Sequence, residues 1–159
     1  MVIRDFRIDE ALALHDVFYS SVHKLAHACY TPRQIAAWAP EAFDEAQWVR
    51  RIRAISPFVV EDSGRPVAYA DLQASGYIDH FYVAGTHARR GIGSALIQHI
   101  FKTAEQRGIA ELTSSVSLCA ERFFALHGFA VVERKTVTVR DVELPNARMS
   151  LKLVTRTTN

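Results

Sequence analysis

The chain has 159 residues, of which 49% are hydrophobic and 23% are charged, the balance of an ordinary globular domain. Its formal net charge of +2 is too small to indicate nucleic acid or a membrane surface as a partner. No apolar run approaches the length of a membrane span, and charge interrupts the opening Met1-Val-Ile-Arg-Asp-Phe6 too early for a signal peptide. We therefore expect one cytoplasmic domain over residues 1–154, followed by a C-terminal tail over 155–159.

The two cysteines, Cys29 and Cys119, lie far apart in the sequence and form no Cys-x-x-Cys pattern. This usage predicts free thiols in a reducing cytoplasm. His23, His27 and Cys29 lie close together, but their spacing does not place all three on one helix face. We therefore predict no metal site.

The first half of the chain predicts one strand followed by three helices. Residues 2–8 read as a short strand, and Asp9 is placed to cap a helix over about 9–28. The stretch Thr31-Pro-Arg-Gln34 is a capping box with proline at the first helical position, and Asp44-Glu-Ala-Gln47 repeats the capping pattern. A second and a third helix are therefore expected directly after these two capping residues.

The second half alternates strands and helices. Two strands, 57–61 and 66–72, are joined by turn chemistry at Asp62-Ser-Gly-Arg65. The remaining predicted elements are a strand over 77–83, a helix that ends at Gly108, a strand over 110–116, a short helix over 120–127, and strands over 129–140 and 143–153. A meander that feeds a strand–helix–strand crossover predicts an α/β fold, with a mixed sheet and helices on both faces.

The stretch Arg89-Arg-Gly-Ile-Gly-Ser94 stands between a predicted strand and a predicted helix. A helix N-terminus presents unpaired N–H groups and a positive dipole end, and glycines there let a pyrophosphate approach the backbone. A Walker loop would need Gly-Lys-Ser/Thr, and a dinucleotide fingerprint would need a third glycine where Leu96 stands. The stretch alone leaves two interpretations, a pyrophosphate site and a plain glycine turn with solvated arginines.

Together with a second stretch, this loop resembles a known family. Phe81-Tyr-Val83 followed by Arg89-Arg-Gly-Ile-Gly-Ser-Ala-Leu-Ile97 is similar to the acetyl-CoA signature of the GNAT N-acetyltransferase superfamily, Gln/Arg-x-x-Gly-x-Gly/Ala. The stretch Ser117-x-x-Ala-x-x-Phe-Phe124-x-x-x-Gly-Phe129 resembles the second motif of that family. Tyr30-Thr-Pro-x-Gln-Ile-x-x-Trp38 resembles a subgroup of small bacterial acetyltransferases. The order of the predicted elements matches the family fold along nearly the whole chain.

The resemblance implies a mostly antiparallel central sheet with one splayed pair of parallel strands, here 77–83 and 110–116, that opens a cleft for acetyl-CoA. Backbone groups of Phe81 and Val83 would pair with the pantetheine arm, and an N–H of the same strand would polarise the acetyl carbonyl. Amides in the glycine loop would hold the pyrophosphate, and an amine would attack the thioester directly, without a metal. The resemblance implies these cofactor-binding residues: Phe81, Tyr82, Val83, Arg89, Arg90, Gly91, Ile92, Gly93, Ser94, Ser117 and Phe124.

Three residues, Asp79, Tyr77 and Tyr30, are the catalytic candidates. Asp79 would lie beside the acetyl position, where a carboxylate either takes a proton through water or serves structure or acceptor recognition. Tyr77 stands near the catalytic glutamate of some members and lines the pocket or donates a hydrogen bond. Tyr30 flanks the connection that walls the acceptor site, with core packing as its alternative, and Trp38 is assigned to the core. His80 alternates to the other sheet face unless a bulge re-aims it.

Three departures from the family pattern bear on the mechanism. Ala88 stands where Gln or Arg is usual, Ser117 replaces Asn, and Phe124 replaces the tyrosine that many members use as general acid. The expected function is acetyl-CoA-dependent N-acetylation of a small-molecule or peptide amine. The alternative is a non-catalytic acyl-CoA-binding sensor or partner module. The sequence does not identify the acceptor, and it leaves open a homodimer that pairs the last two strands.

Overall fold

Residues 1–154 are described by the structure, a computed structural model, and the predicted tail over 155–159 lies outside the described residues. The elements, in chain order, are β1 (Val2–Asp5), α1 (Ala11–Leu25), α2 (Pro32–Trp38), α3 (Glu45–Ile55), β2 (Phe58–Asp62), β3 (Arg65–Ala70), β4 (Tyr77–Ile78), β5 (Phe81–Val83), a 3₁₀ turn (Gly85–His87), α4 (Ile92–Gln106), β6 (Glu111–Ser117), α5 (Glu121–Leu126), β7 (Ala130–Val139) and β8 (Val142–Lys152).

Local capping sets where the front helices begin. Thr31 Oγ1 accepts a hydrogen bond from the Gln34 N–H, and Gln34 Oε1 accepts one from the Thr31 N–H, so the predicted capping box starts α2. The Asp44 carboxylate likewise caps α3. The prediction for α1 is wrong, because its N-cap is Glu10, without a side-chain hydrogen bond, and not Asp9. This helix has no side-chain cap at its start, and the burial of one of its faces stabilises it instead.

The strands form two four-stranded sheets. The first has the order β1-β2-β3-β5 and is antiparallel throughout. The second has the order β4-β6-β8-β7, in which β4 runs parallel to β6 and the other pairs are antiparallel. The predicted α/β class is thus confirmed. The outermost strand, β7, is mostly exposed, and the homodimer stays a prediction.

The strand predicted over 77–83 is divided between the two sheets. Tyr77 and Ile78 pair with Thr113 and Ser114 of β6, whereas Phe81–Val83 pair with β3 in the other sheet. The chain therefore leaves its parallel neighbour after Ile78, and β5 splays away from β6. This division opens the sheet in its middle.

Helices pack against both faces of the sheets. Leu96, Ile97 and Ile100 of α4 are fully buried in one hydrophobic cluster, and the second cluster holds Leu14 and Val22 of α1. Residues 58–60 of β2 and 68–70 of β3 alternate between the two clusters, as expected for strands covered on both sides. No helix among residues 1–154 is long and apolar enough to cross a membrane.

The prediction of free thiols is wrong. Cys29, which precedes α2, and Cys119, which follows β6, form a disulfide with their Cα atoms 5.7 Å apart, within the usual range for such bonds. The two residues are 90 positions apart in the sequence, and only the folded chain brings them together. Because the two cysteines are bonded, they no longer support the inference of a reducing compartment. The cytoplasmic location stays a prediction.

Candidate active site

A cleft of about 410 Å³ lies where β5 splays from β6. Its floor is made by β5 and β6, one end by the loop before α4, and its other walls by α1, α2 and α5. The lining residues include Trp38, Asp79, Phe81, Ser117, Cys119 and Phe124. One continuous groove therefore connects the glycine loop with the face that α1 and α2 cover.

The end of the cleft at the glycine loop has a backbone geometry that suits an anion. Gly91 has a φ of +78°, which favours glycine, and an added Cβ there would meet nothing within 4 Å. The first hydrogen bond of α4 runs from the Ala95 N–H to the Gly91 carbonyl, so the N–H groups of Ile92, Gly93 and Ser94 have no acceptor within the helix. These donors and the positive end of a 15-residue helix suit a phosphate group.

Gly93 is needed for close packing. A Cβ at this position would lie 3.3 Å from the ring of Phe123, so the side-chain-free backbone lets α4 approach α5. Phe81 packs on Phe123 and Phe124, with ring centroids 5.4 and 5.5 Å apart. These aromatic rings form an apolar wall beside the middle of the cleft.

Most of the predicted cofactor residues line this cleft. They are Phe81, Tyr82, Val83, Arg89, Gly91, Gly93, Ser94, Ser117 and Phe124. Two are placed elsewhere: the Ile92 side chain is buried in the core, and Arg90 is exposed and lies outside the lining. Only backbone groups of Ile92 are therefore available to a ligand in the groove.

The break between β4 and β5 is held by Asp71, a residue that the sequence analysis missed. Asp71 is fully buried, and its Oδ1 accepts hydrogen bonds from the N–H groups of Asp79 and His80, at 2.8 and 2.7 Å. Its Oδ2 accepts a hydrogen bond from Gln73 Nε2 at 3.2 Å. Burial raises the pKa of Asp71, and these hydrogen bonds oppose the rise. An acidic residue directly after the apolar run Val67-Ala-Tyr-Ala70 was the signal available in the sequence.

Asp79 lies on the cleft surface, at the break in the strand. Its Oδ2 is 3.0 Å from Arg51 Nη2 and 3.6 Å from His80 Nε2. The Asp79 side chain is 23% exposed, so it is reachable from the groove while its position is fixed from behind. Arg51 comes from α3, 28 residues earlier, and no sequence signal identified this ion pair.

His80 is buried behind Asp79. Its Nδ1 lies 3.0 Å from the hydroxyl of Tyr69, which is itself fully buried. When Tyr69 donates to Nδ1, the proton of the neutral ring is on Nε2 and faces Asp79. Burial lowers the pKa of His80 to about 4, and the nearby Asp79 carboxylate only partly opposes this. The break brings His80 to the same side of the strand as Asp79, so the simple alternation rule fails here.

Folding stability is expected to fall at mildly acidic pH because His80 resists protonation. The unfolded chain binds this proton below about pH 6.5, whereas the folded chain binds it near pH 4. The stability that neutral His80 contributes is fully present above pH 6.5 and is lost progressively as the pH falls from 6.5 to about 4. The loss amounts to about 2 kcal/mol at pH 5. Urea denaturation at pH 7.5 and pH 5 should show a smaller pH difference for His80→Gln. The exposed control His27→Gln should behave as wild type, and an unchanged difference in His80→Gln would contradict the assignment.

Tyr30 lies outside the cleft lining. It is 6% exposed, and its hydroxyl donates to the Pro145 carbonyl at 2.6 Å and accepts from the Leu118 N–H at 3.0 Å. This geometry favours the packing alternative for Tyr30. Trp38, which was assigned to the core, lines the cleft. Tyr77 is half-buried on β4 and is not among the lining residues.

Residues 1–154 contain no group of three or more His, Cys, Asp or Glu side chains placed to hold a metal ion. The cleft presents backbone N–H donors at the glycine loop, the carboxylate of Asp79 and apolar walls.

A splayed sheet with a glycine loop at one end of the gap defines the class of this protein. A family model described as acetyltransferase (GNAT) domain matches residues 26–151. The chain belongs to the GNAT acetyltransferase family, and the resemblance read from the two sequence motifs is confirmed.

Individual relatives agree with this class. The chain is 30% identical over 150 residues to the uncharacterized N-acetyltransferase YafP of Escherichia coli K12, covering 94% of this chain and 95% of that protein. A crystal structure from Rhodopseudomonas palustris, described as a GCN5-related N-acetyltransferase and as an aminotransferase of class II, superposes with a TM-score of 0.91 at 31% identity, covering 96% and 95% of the two chains. The PaiA N-acetyltransferase of Thermoplasma acidophilum, in complex with coenzyme A, has a TM-score of 0.72 at 16% identity, covering 96% and 98%. The last similarity shows the fold alone.

Proposed function

We propose that this protein transfers the acetyl group of acetyl-CoA to an amine, by direct attack of the amine on the thioester. The observation that carries the proposal is the division of one strand into β4 and β5. It opens a groove with a phosphate-binding helix end on one side and the carboxylate of Asp79 on the other. Family membership supports the same chemistry.

The groove fits the donor in three parts. The free N–H groups from Ile92 to Ser94 suit the pyrophosphate. The exposed backbone edge of β5 suits the amide groups of the pantetheine arm, since β3 occupies only its other edge. The apolar wall around Phe81 and Phe124 suits the thioester end. Acetyl-CoA supplies an activated acetyl group, and the protein supplies position, backbone donors and a proton acceptor.

Asp79 is the proposed proton acceptor. An amine is mostly protonated at neutral pH and attacks only after losing a proton, and a carboxylate in the groove takes that proton directly or through water. Arg51 and His80 hold the carboxylate from behind, so its orientation does not depend on the acceptor. His80 itself is too buried to serve as the group that meets the amine.

The missing tyrosine hydroxyl at Phe124 does not prevent turnover. Phe124 is buried and offers no proton to the departing sulfur. A thiol has a pKa of about 8.5, so CoA leaves as a thiolate without a strong requirement for a general acid. Phe124 instead contributes to the apolar wall beside the thioester.

The acceptor end suits an amine on an apolar body. Val22 and Leu25 of α1 and Trp38 of α2 line the groove, and Asp79 is the acidic residue on the lining. A cationic head near the carboxylate and an apolar or aromatic body against Trp38 would satisfy both features. We therefore propose small apolar amines as the first acceptor class to test.

Replacing Gly91 by glutamate is expected to weaken CoA binding by about 100-fold or more, equivalent to about 2.7 kcal/mol. The added carboxylate would stand at the helix N-terminus, where it repels the pyrophosphate, and the residue would be strained at a φ of +78°. Isothermal titration calorimetry with acetyl-CoA, CoA and ATP measures the effect and the preference for CoA.

The matched control is Gly64→Glu in the β2–β3 turn. Gly64 has a φ of +79° and nothing within 4 Å of an added Cβ, so this variant carries the same strain and the same charge away from the groove. It should bind CoA as wild type does. Equal CoA affinities in wild type, Gly91→Glu and Gly64→Glu, or no CoA binding by folded wild type, would contradict the proposed donor site. Release of CoA thiol with a supplied amine then distinguishes the enzyme from a non-catalytic binding module.

A further inference from the structure

The disulfide between Cys29 and Cys119 joins two connections that border the cleft. Cys29 lies between α1 and α2 and is exposed, whereas Cys119 lies between β6 and α5, is half-buried and lines the groove. One residue of the pair is thus on the outer surface, and the other belongs to the lining of the groove proposed for CoA. The acetyl-transfer chemistry described above uses neither sulfur.

The two cysteines do not depend on their own bond to stay close. Tyr30, which follows Cys29, accepts a hydrogen bond from the N–H of Leu118, which precedes Cys119. The same hydroxyl donates to Pro145 of β8. These contacts join the same two connections through an independent, buried group, so the reduced chain keeps both thiols near each other. A preorganised pair of this kind is suited to repeated opening and closing.

We propose that Cys29 and Cys119 form a thiol–disulfide exchange site for CoA, in which Cys119 forms the mixed disulfide inside the cleft and Cys29 resolves it. The inference rests on the proposed donor site, because a CoA molecule in that groove lies in the cleft that Cys119 lines together with Phe124. The chemical class of the reactant is CoA thiol or a disulfide of CoA.

The exchange balances without a further oxidant. In the reduced protein the Cys119 thiolate attacks one sulfur of a CoA disulfide, that S–S bond breaks, and one CoA leaves as a thiolate. The Cys29 thiolate then attacks the Cys119 sulfur and releases the second CoA thiolate. The protein dithiol loses two electrons and its two protons go to the solvent or to the departing thiolates, while the CoA disulfide gains the two electrons. The reverse path lets CoA thiol open the Cys29–Cys119 bond.

The mixed disulfide would also stop acetyl transfer. A CoA molecule attached to Cys119 occupies the groove that acetyl-CoA needs. The pair therefore links the state of the enzyme to the balance of CoA thiol and disulfide, with Cys29 as the group that restores the open groove.

The decisive variant is Cys29→Ser, which removes the resolving thiol and traps the intermediate. After reduction and desalting, it is mixed with CoA disulfide or with glutathione disulfide, and adducts are followed by intact mass and by peptide mapping without reductant. We expect a CoA adduct on Cys119 that forms at least about tenfold faster than the glutathione adduct, because binding in the groove raises the effective concentration. Reduced wild type should instead release two CoA thiols per chain and recover the Cys29–Cys119 bond.

Two further variants separate this inference from the donor proposal. Cys119→Ser should show no preference for CoA disulfide at Cys29, and Cys29→Ser combined with Gly91→Glu should lose the preference at Cys119. CoA binding is measured in parallel by calorimetry on a variant with both cysteines replaced by serine. CoA binding without a preferred adduct on Cys119, or a preferred adduct on Cys29, overturns the exchange site alone. Absence of CoA binding overturns the donor proposal as well.

Discussion

Replacing Asp79 by asparagine is expected to lower kcat by about 100- to 10,000-fold, the usual contribution of a positioned general base. The change keeps the size of the side chain and removes its ability to take a proton. CoA affinity should stay within about twofold of wild type, because Asp79 lies at the break in the strand and not at the glycine loop. Steady-state kinetics with a reactive amine, together with calorimetry for CoA, measure both quantities.

The kinetic pattern decides between the two roles left open for Asp79. If the carboxylate only attracts the ammonium group of the acceptor, KM for the amine rises and kcat changes little. If it removes the proton, kcat falls, so the rate stays low even when the amine saturates the enzyme. Arg51→Gln is the companion variant, since it leaves the carboxylate and removes the ion pair at 3.0 Å. Its kcat should fall less than that of Asp79→Asn, and an equal or larger loss would assign the effect to the ion pair.

Elements fixed by neighbouring residues could be predicted from the sequence. The capping box at Thr31 and the cap at Asp44 need only residues three positions apart, and both form as expected. Gly91 and Gly93 predict a bare helix start, and the structure places a free helix end there. The proposed donor end of the groove can therefore largely be predicted from one stretch of sequence.

The part of the groove proposed to be catalytic depends on contacts that sequence periodicity does not contain. Alternation along 77–83 puts Asp79 and His80 on opposite faces, whereas the structure turns both toward α3, where Asp79 pairs with Arg51 and His80 packs on Trp48. The cause is a carboxylate on another segment, Asp71, which takes both N–H groups out of any sheet ladder. Pattern rules for a regular strand cannot anticipate a side chain that replaces the neighbouring strand as hydrogen-bond acceptor.

Contacts between residues far apart in the chain could not be predicted from the sequence either. Arg51 meets Asp79 across 28 positions, and Cys29 meets Cys119 across 90. Tyr30 resembles a pocket residue in its motif, yet its hydroxyl joins Leu118 to Pro145. The disulfide and the Tyr30 contacts depend on how the α1–α2 connection lies over β6 and β8, and the Arg51–Asp79 pair depends on how α3 lies over the break. A single sequence leaves both placements undetermined.

Replacing Asp71 by alanine is expected to destabilise the fold by about 3–6 kcal/mol, because the N–H groups of Asp79 and His80 each lose a hydrogen bond to a buried charged acceptor. The same change should release the break between β4 and β5, so that Asp79 is no longer held toward the groove. Urea denaturation measures the first effect. At a temperature where the variant is still folded, the second appears as a fall in kcat of about tenfold or more, the loss expected when a catalytic group is misplaced.

Asp71→Asn separates the hydrogen bonds from the charge. An asparagine keeps one oxygen that accepts from both N–H groups, and its amide can face Gln73 once that side chain rotates. Burial raises the pKa of Asp71, which means that the charge itself is penalised at this site. Stability of Asp71→Asn should therefore lie within about 1 kcal/mol of wild type, with kcat largely retained. A loss in Asp71→Asn as large as in Asp71→Ala would contradict the role of the shared oxygen, and retained kcat in Asp71→Ala would show that Asp79 does not need the break to be held.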